Sequence, residues 1–360
     1  MRNADIDGFY AELSQLDADA HLLLDYRIEC TGDPRIAAAH LASEQSTAQW
    51  QRVGVDEDYR PRFAARVVDL EVETVLSDTS YPLDPPVNEP VSVCRVRIAH
   101  PHANFGPRIP NMLSAVLGEG AFFAPGIPVV KLLDIEFPDA FLAHFDGPRY
   151  GLKGLRDLWQ IHDRPFFFGV IKPNIGLDPA PFAELGLAAW RGGLDIAKDD
   201  EMLADPDWSP IAERSRLLGA ARRQAEQETG APKVYLANIT DEVDRLIDLH
   251  DTVVANGANA VMVNALPVGL SAVRMLRRHA QVPLVAHFPV IAAMSRLHHF
   301  GVHSRFLTKL KRLAGFDVIS MPGFGPGIVT PEARVLEHMP PRTAPTGRHK
   351  PGLPVLAGRP

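Results

Sequence analysis

Cysteine and long apolar runs are both scarce in this chain. Only two cysteines, Cys30 and Cys94, occur among 360 residues, and their spacing fits no metal-binding or redox motif. Such a chain is not a disulfide framework, and we expect two buried thiols in a reducing compartment. No apolar run approaches the ~20 residues of a membrane-spanning helix, and the polar, acidic start is unlike a signal peptide. The sequence therefore predicts a cytoplasmic protein with no membrane partner.

An excess of positive charge is also lacking. The formal net charge of -7 gives no reason to expect nucleic acid or an anionic membrane as a partner. What is present is ordinary globular composition, with 46% hydrophobic and 22% charged residues. A chain of 360 residues can hold an α/β barrel of about 200 to 250 residues together with a smaller domain.

One short motif combines a lysine with three carboxylates. Residues 192–201 read GGLDIAKDDE. If residues 194–199 form a strand, Lys198 points to the same side as Ile196, and Asp200 continues that row. Carboxylates grouped in this way form a hard-oxygen corner of the kind that Mg2+ prefers. The alternative is a solvated acidic loop with one balancing lysine, since charged residues are common on protein surfaces.

A second lysine ends the preceding apolar run. Residues 166–172 read FFFGVIK, and a helix is expected between this run and the Gly192-Gly193 pair. Lys172 and Lys198 would then stand at the same ends of two consecutive parallel strands. The carboxyl ends of such strands are where α/β barrels place their chemistry, so the pair indicates a site.

Alternating strand and helix patterns from residue 166 onward predict an α/β fold. Its main part is a TIM-type (β/α) barrel, preceded by a small α+β N-terminal domain. Seven of the eight strands of a closed barrel are visible, at residues 166–172, 194–199, 233–238, 260–264, 284–287, 318–321 and 353–356. The N-terminal domain is expected to have strands at residues 21–30, 64–76 and 91–98 and helices at residues 35–43 and 110–117.

These motifs resemble the large chain of ribulose-bisphosphate carboxylase (RuBisCO). FGVIKPNIGL followed by GGLDIAKDDE is similar to the first two barrel strands of that family. Further similar stretches lie at residues 43–50, 145–148 and 307–317, so the resemblance covers nearly the whole chain. It implies a RuBisCO N-terminal-like domain at residues 1–145 and a barrel domain at residues 146–360. By the same resemblance, the eighth strand and final helix are expected to be missing through truncation.

The resemblance also implies a magnesium centre. Lys198 matches the lysine that CO2 carbamylates in RuBisCO, and Asp200 and Glu201 match the two carboxylate ligands of Mg2+. Lys172 matches the lysine that handles protons on the enolised substrate. His287 matches an active-site histidine, although on the residues alone it could be a core histidine.

A homodimer is implied as well, because Glu44 and Trp50 match partner-subunit residues that complete the site. Glu119 stands where RuBisCO has an asparagine that contacts metal and substrate. We expect Glu119 to act as the base or to orient a metal-bound water, unless it is a plain carboxylate at a helix end.

Several other positions depart from RuBisCO. Asn174 replaces a second lysine, Phe288 replaces an arginine that holds a substrate phosphate, and Ser320 replaces a histidine. Residues 321–327 carry no lysine where RuBisCO closes a flexible lysine over the reacting carbon. These losses remove charge-assisted contacts and electrostatic stabilisation of a new carboxylate. The combination resembles the RuBisCO-like proteins of the form IV branch, and residues 287–296 resemble the group from phototrophic bacteria.

Three functions follow from this resemblance. The first is Mg2+-dependent enolisation of a small keto-sugar phosphate or keto acid, as an isomerase, lyase or decarboxylase. The second is a non-catalytic or degenerate relative with a role in sulfur metabolism or stress response. The third is a true carboxylase, against which the replaced residues argue.

Overall fold

The computed structural model describes residues 3–49, 58–81, 89–120, 124–323, 332–336 and 355–358. The chain divides into two compact units. The N-terminal unit comprises residues 1–145 and 291–309, and the barrel unit comprises residues 146–290 and 310–360.

The N-terminal unit is built on a five-stranded sheet. Its strands are β1 (His21–Thr31), β2 (Arg66–Leu76), β3 (Val91–Pro101), β4 (Val129–Glu136) and β10 (Gly301–Val302). They lie in the order β10-β4-β1-β3-β2. β1 pairs antiparallel with β3 and β4, and the short β10 runs parallel to β4. Every second residue of β1 from Leu22 to Ile28 is fully buried, because one face of the sheet lies on the core.

Short helices accompany this sheet. The helix Pro34–Glu44 starts at Asp33, whose side chain accepts a hydrogen bond from the Arg35 amide at 2.8 Å, an N-cap that satisfies a free helix-end donor. The other helices that lie entirely in this unit are Asn3–Asp7, Arg60–Phe63, Ile109–Val116, Asp139–Leu142 and Ile291–Ser295, with 3-10 turns at Leu13–Gln15 and His102–Asn104.

The barrel unit holds a seven-stranded sheet. Its strands are β5 (Phe168–Val170), β6 (Ile196–Lys198), β7 (Val234–Asn238), β8 (Ala260–Asn264), β9 (Leu284–His287), β11 (Val318–Pro322) and β12 (Val355–Gly358). They lie in the order β12-β11-β9-β8-β7-β6-β5, and every neighbouring pair is parallel. This is a curled, all-parallel sheet of the α/β barrel type.

Helices connect the parallel strands. The helix Gly151–Trp159 precedes β5, the connecting helices are Pro179–Arg191, Ile211–Thr229, Leu246–Ala255, Ala265–Val268, Leu270–His279 and Glu332–Leu336, and the helix Ser304–Ala314 leads into β11. Along the part of the chain that the structure describes, no helix is both long and apolar enough to cross a membrane.

One face of the barrel-type sheet carries a continuous apolar layer. It is formed by Ile196, Val234, Leu236, Ala260, Met262, Val285 and Val318, with Leu155 and Trp159 packed against them. These residues alternate along their strands, so the layer consists of parallel rows that run towards the carboxyl ends of the strands. Full burial of a Val, Leu, Ile or Met side chain contributes about 1.5 to 3 kcal/mol, so this layer stabilises the unit.

The structure bears out the predicted fold class and most predicted elements. β8 and β9 have the predicted bounds, and the other barrel strands differ by one or two residues at one or both ends. The sequence prediction missed β4 and β10. Lys131 interrupts the apolar run of β4, yet it is buried, and its ammonium donates to the Ser295 carbonyl at 3.3 Å. β10 has only two residues and therefore carries no periodic signal.

Candidate functional site

Five neighbouring barrel strands end their apolar row with a polar side chain. In each case the polar residue lies two positions after a member of the apolar layer and so points to the same face. None of them is more than 8% exposed. Because the carboxyl ends of parallel strands meet at one edge, these side chains share the mouth of the barrel-type sheet. They are Lys198 of β6, Asn238 of β7, Asn264 of β8, His287 of β9 and Ser320 of β11.

The predicted corner of lysine and carboxylates forms at the end of β6. The buried Lys198 ammonium donates to Oε2 of Glu201 at 3.0 Å and to the Asp199 carbonyl at 3.0 Å. Oδ2 of the fully buried Asp200 accepts from Nζ of Lys172 at 2.7 Å. Each lysine therefore holds one of the two proposed metal ligands, Lys198 from the last position of β6 and Lys172 from two residues beyond the end of β5.

Lys172 is far more accessible than Lys198. Its side chain is 56% exposed, whereas that of Lys198 is 1% exposed. The Lys172 ammonium also donates to Oδ1 of Asn174, so the residue that replaces the family's second lysine lies directly beside the first. Asp200 and Asn174 hold the Lys172 ammonium in position, and its exposed side can contact a ligand.

Asp199 points away from the mouth, as strand alternation requires. Its fully buried carboxylate accepts from Nη2 of Arg214 at 3.4 Å and from the Tyr235 hydroxyl at 3.1 Å. Burial raises the pKa of Asp199, and the nearby Arg214 charge opposes that rise. The pair of Asp199 and Arg214 links the end of β6 to the helix Ile211–Thr229. Removing one partner of such a buried ion pair costs about 3 to 5 kcal/mol.

His287 lies close to the same corner. Its Nε2 is 3.5 Å from Oε2 of Glu201, and its ring stacks on Phe288 with centroids 4.4 Å apart. Burial and the neighbouring Lys198 charge lower the pKa of His287 to about 4, so its imidazole is neutral at pH 7. Ile319 of β11 pairs with Ala286 of the parallel β9. The next residues along the two strands, Ser320 and His287, therefore lie beside each other.

The donor set of this corner fits Mg2+. Asp200 and Glu201 offer hard carboxylate oxygens on consecutive residues, and burial lowers the pKa of Lys198. Oδ1 of Asn264 is buried and has no hydrogen-bond partner among the described residues, so it can accept from a water on an ion. A positively charged Lys198 beside Glu201 would repel a cation, whereas a carbamate at this position would add an oxygen ligand.

The two remaining predicted site residues that the structure describes lie in the N-terminal unit. Glu44 and Glu119 are both exposed and line the same cavity of about 470 Å³. Gly120, the residue after Glu119, packs close to Glu44. A Cβ built on Gly120 would lie 3.6 Å from the Cβ of Glu44. Trp50, the other residue expected from this region, lies outside the described residues.

Sequence reasoning missed two residues of the mouth, Asn238 and Asn264, which end predicted strands and carry no charge. The missed signal was the same one that identified Lys198, a polar residue that closes an apolar strand row. A neutral amide is a weaker sequence signal than a charged group, although its side chain can also donate hydrogen bonds to backbone carbonyl groups.

A second group of potential metal ligands is explained by its hydrogen bonds. Asp251 Oδ1 lies 2.8 Å from Nδ1 of His250 and 2.6 Å from Nε2 of His279. The Gln281 amide donates to Nε2 of His250 at 3.3 Å, which keeps the imidazole proton on Nδ1, facing Asp251. A metal ion would need that nitrogen unprotonated, so we assign this group to helix packing.

Comparison with known proteins identifies both units. Residues 151–340 match the ribulose bisphosphate carboxylase large chain catalytic domain, and residues 9–141 match the N-terminal domain of the same chain. The chain is 64% identical to ribulose bisphosphate carboxylase-like protein 2 of Rhodopseudomonas palustris, over 99% of this chain and 83% of the relative. It is 59% identical to the ribulose bisphosphate carboxylase-like protein of Chlorobaculum tepidum, over 99% and 82%. A 3-oxo-isoapionate-4-phosphate transcarboxylase/hydrolase of Xanthobacter autotrophicus is 30% identical, over 83% and 72%.

Solved structures agree with this match. A rubisco-like protein from Burkholderia fungorum superimposes with a TM-score of 0.81 at 30% identity, covering 89% of this chain and 77% of the other. A dimeric archaeal Rubisco from Hyperthermus butylicus superimposes with a TM-score of 0.78 at 26% identity, covering 92% and 74%. The similarity therefore extends over both units in fold and in sequence.

Proposed function

The chain belongs to the ribulose bisphosphate carboxylase large-chain family, and we propose that it is a RuBisCO-like protein that enolises a small keto-sugar phosphate or keto acid. The observation that supports this proposal most strongly is a pair of lysine–carboxylate contacts just after β6. Lys198 holds Glu201 at 3.0 Å, and Lys172 holds Asp200 at 2.7 Å. Two amines and two carboxylates at one strand edge supply what enolisation needs, a cation site and a proton-handling group.

Asp200, Glu201 and Lys198 are the proposed ligands of Mg2+, with Lys198 as a carbamate formed from CO2. Bound Mg2+ polarises a substrate carbonyl and so makes the neighbouring C–H bond more acidic. Asp200 and Glu201, which directly follow the end of β6, would hold the ion. The pairing of Lys172 with Asp200 keeps its amine at the edge of this corner.

Proton transfer falls to residues around the corner. Lys172 is exposed on the mouth side and is the proposed donor to the enolate oxygen. His287 is neutral and can accept or donate a hydrogen bond to the substrate without adding charge. We assign the base to Glu119, a carboxylate that lies in the N-terminal unit and shares a cavity with Glu44.

The same residues argue against CO2 fixation. Asn174 lies beside Lys172 where the carboxylase has a second ammonium, and Phe288 stacks on His287 where the carboxylase has an arginine. Ser320 offers a hydroxyl in place of an imidazole. A relative named 3-oxo-isoapionate-4-phosphate transcarboxylase/hydrolase, whose name includes a phosphorylated compound, supports a phosphorylated substrate.

A homodimer would complete this site. Glu44 and Glu119 belong to the N-terminal unit and the lysine corner belongs to the barrel unit. We propose that the N-terminal unit of one chain, including Trp50, caps the barrel mouth of its partner. A dimeric Rubisco among the similar structures supports this arrangement.

The decisive experiment measures metal binding and exchange separately. Wild-type protein should bind Mg2+ in calorimetry and should exchange the α-proton of a keto-sugar monophosphate or keto acid into deuterated water. Asp200→Asn removes one ligand charge and should lower Mg2+ affinity by at least ~10-fold. Bicarbonate should tighten Mg2+ binding if Lys198 is carbamylated.

Two outcomes would contradict the proposal. Unchanged Mg2+ affinity in Asp200→Asn would place the metal elsewhere. Tight Mg2+ binding without exchange on any keto-sugar phosphate or keto acid of the panel would favour the non-catalytic alternative. Asp205→Asn is a matched control, because Asp205 pairs with Arg245 at 2.7 Å on the loop after β6 and is not a proposed ligand.

A further inference from the structure

Two asparagines hold the backbone of the proposed metal ligands from the neighbouring strands. Nδ2 of Asn238, at the end of β7, donates to the Asp200 carbonyl at 3.1 Å and to the Leu203 carbonyl at 3.2 Å. Nδ2 of Asn264, at the end of β8, donates to the Glu201 carbonyl at 2.9 Å. Each proposed carboxylate ligand therefore has its own amide anchor on an adjacent strand.

A threonine hydroxyl connects the two asparagines. Oγ1 of Thr240 donates to Oδ1 of Asn238 at 2.6 Å, and it accepts from the backbone amide of Asn264 at 2.9 Å. The Thr240 amide also donates to Oδ1 of Asn238 at 3.1 Å. One hydroxyl thus joins β7 to β8 directly behind the corner.

The chemistry of these contacts fixes the orientation of both amides. Carbonyl oxygens only accept hydrogen bonds, so the groups that face Asp200, Leu203 and Glu201 must be the NH2 groups. The Asn238 oxygen then faces the Thr240 donors, and both of its amide groups are used. Asn238 is fully buried, where an unsatisfied polar group is costly, so this arrangement is strongly preferred.

We propose that Asn238, Thr240 and Asn264 form a positioning unit that holds Asp200 and Glu201 in metal-binding geometry. The inference rests on the proposed Mg2+ site and adds residues that do not touch the ion. Asp200 and Glu201 lie just after β6, where the sheet no longer constrains the chain. The two amides and the Thr240 hydroxyl take over that constraint. Groups that support metal ligands in this way commonly change metal affinity 10- to 100-fold.

Thr240 offers the cleanest test because two variants of similar size differ in one group. Thr240→Val replaces the hydroxyl by a methyl group and breaks both links, whereas Thr240→Ser keeps the hydroxyl. In calorimetric titration with MgCl2, Thr240→Val should raise the Kd for Mg2+ by about 10-fold or more. Thr240→Ser should restore an affinity close to that of the wild type.

A purely structural role would give a different pattern. Thermal melting without Mg2+ checks that both variants are folded, and the stabilisation on adding MgCl2 should shrink only in Thr240→Val. Thr229→Val is a matched control, since the Thr229 hydroxyl donates to the Ala225 carbonyl at 2.7 Å within a helix. Its Mg2+ affinity should equal that of the wild type. If Thr240→Val melts early, Asn264→Ala should be titrated instead, since it removes the Glu201 contact and leaves both Asn238 donors in place.

The possible results separate this inference from the proposed function. Equal Mg2+ affinity in wild type, Thr240→Val and Asn264→Ala would overturn the positioning unit and leave the metal site standing. Absence of Mg2+ binding in the wild type would overturn both. Weak Mg2+ binding in Thr240→Val with rescue in Thr240→Ser supports the positioning unit even if the protein exchanges no substrate proton.

Discussion

At the scale of single residues, the position of a side chain decides what a common residue type can do. Lys198 ends β6 and Lys172 lies two residues beyond the neighbouring β5, yet Lys172 is half exposed and Lys198 is buried. Burial lowers the pKa of Lys198, whose amine lies in the proposed metal site. Lys172 reaches solvent and is the better candidate for proton delivery to a substrate.

Glu119 is the residue-scale assignment that differs most from the carboxylases. If it is the base, Glu119→Gln should lower the rate of α-proton exchange by about 100-fold or more, because an amide cannot accept the proton. Its Mg2+ affinity should stay near that of the wild type, since Glu119 is not a proposed ligand. Exchange into deuterated water, followed by NMR, measures this directly.

The control for this substitution is Glu213→Gln, an exposed carboxylate on the helix Ile211–Thr229. It should exchange at the wild-type rate. If Glu119→Gln also exchanges at that rate, the base lies elsewhere, and the carbamate of Lys198 becomes the next candidate.

At the scale of elements, the helix Ser304–Ala314 carries an unusual residue on its buried face. Lys311 is completely buried, and in the described part of the chain its ammonium has no hydrogen-bond partner. Burial alone lowers the pKa of Lys311 from 10.5 to about 7. A lysine in this state weakens the helix packing, because folding must remove a charge from water without replacing its contacts.

Lys311→Met should therefore stabilise the protein, by about 1 to 4 kcal/mol at pH 7. The unfolded amine binds its proton more tightly than the folded one, so this lysine costs stability below its unfolded pKa of 10.5. The cost shrinks as the pH rises from about 7 towards 10.5 and is constant below 7. Urea unfolding at pH 7 and pH 9.5 should show that the advantage of Lys311→Met is larger at pH 7.

Lys309→Met is the control on the same helix. Lys309 pairs with Asp134 at 2.6 Å and is partly exposed, so its removal should give no stabilisation. An unchanged or lower stability of Lys311→Met at pH 7 would contradict an uncompensated buried amine.

At the scale of the whole molecule, apolar side chains stand exposed beyond the carboxyl ends of consecutive barrel strands. Ile175 follows β5, Met202 follows β6 and Val243 follows β7, and their exposed fractions are 48%, 64% and 49%. Exposed apolar groups clustered at one sheet edge are typical of an interaction surface. The proposed homodimer would cover them with the N-terminal unit of a second copy.

We therefore expect a mass of twice 39.5 kDa in sedimentation at micromolar concentration. Met202→Glu should shift the protein towards monomer, because a charge would be buried in the contact. Leu158→Glu is the control. Leu158 is 47% exposed. The next residue on its helix, Trp159, packs against Phe166 just before β5, so Leu158 lies at the opposite end of the strands. A wild-type monomer at these concentrations would contradict the dimer.

The sequence by itself determined the architecture and the grouping of a lysine with carboxylates at a strand end. Strands buried on both faces must be nearly continuous apolar runs, and these were visible in β6 to β9 and in β11. A lysine and carboxylates at the end of such a run must lie at the carboxyl edge of the sheet. Lys198, Asp200 and Glu201 could therefore be placed before the fold was known. β4 was missed because Lys131 interrupts its apolar pattern, and its burial depends on carbonyl groups far away in the sequence.

Only the tertiary structure decided which neutral groups support the site. Asn238, Thr240 and Asn264 meet the corner through hydrogen bonds between residues 24 to 63 positions apart, and no local pattern specifies such partners. The lowered pKa of His287 likewise depends mainly on burial, which a sequence does not display. Periodicity reports which face of a strand is buried, whereas hydrogen-bond partners and local dielectric are set by the packing of distant segments.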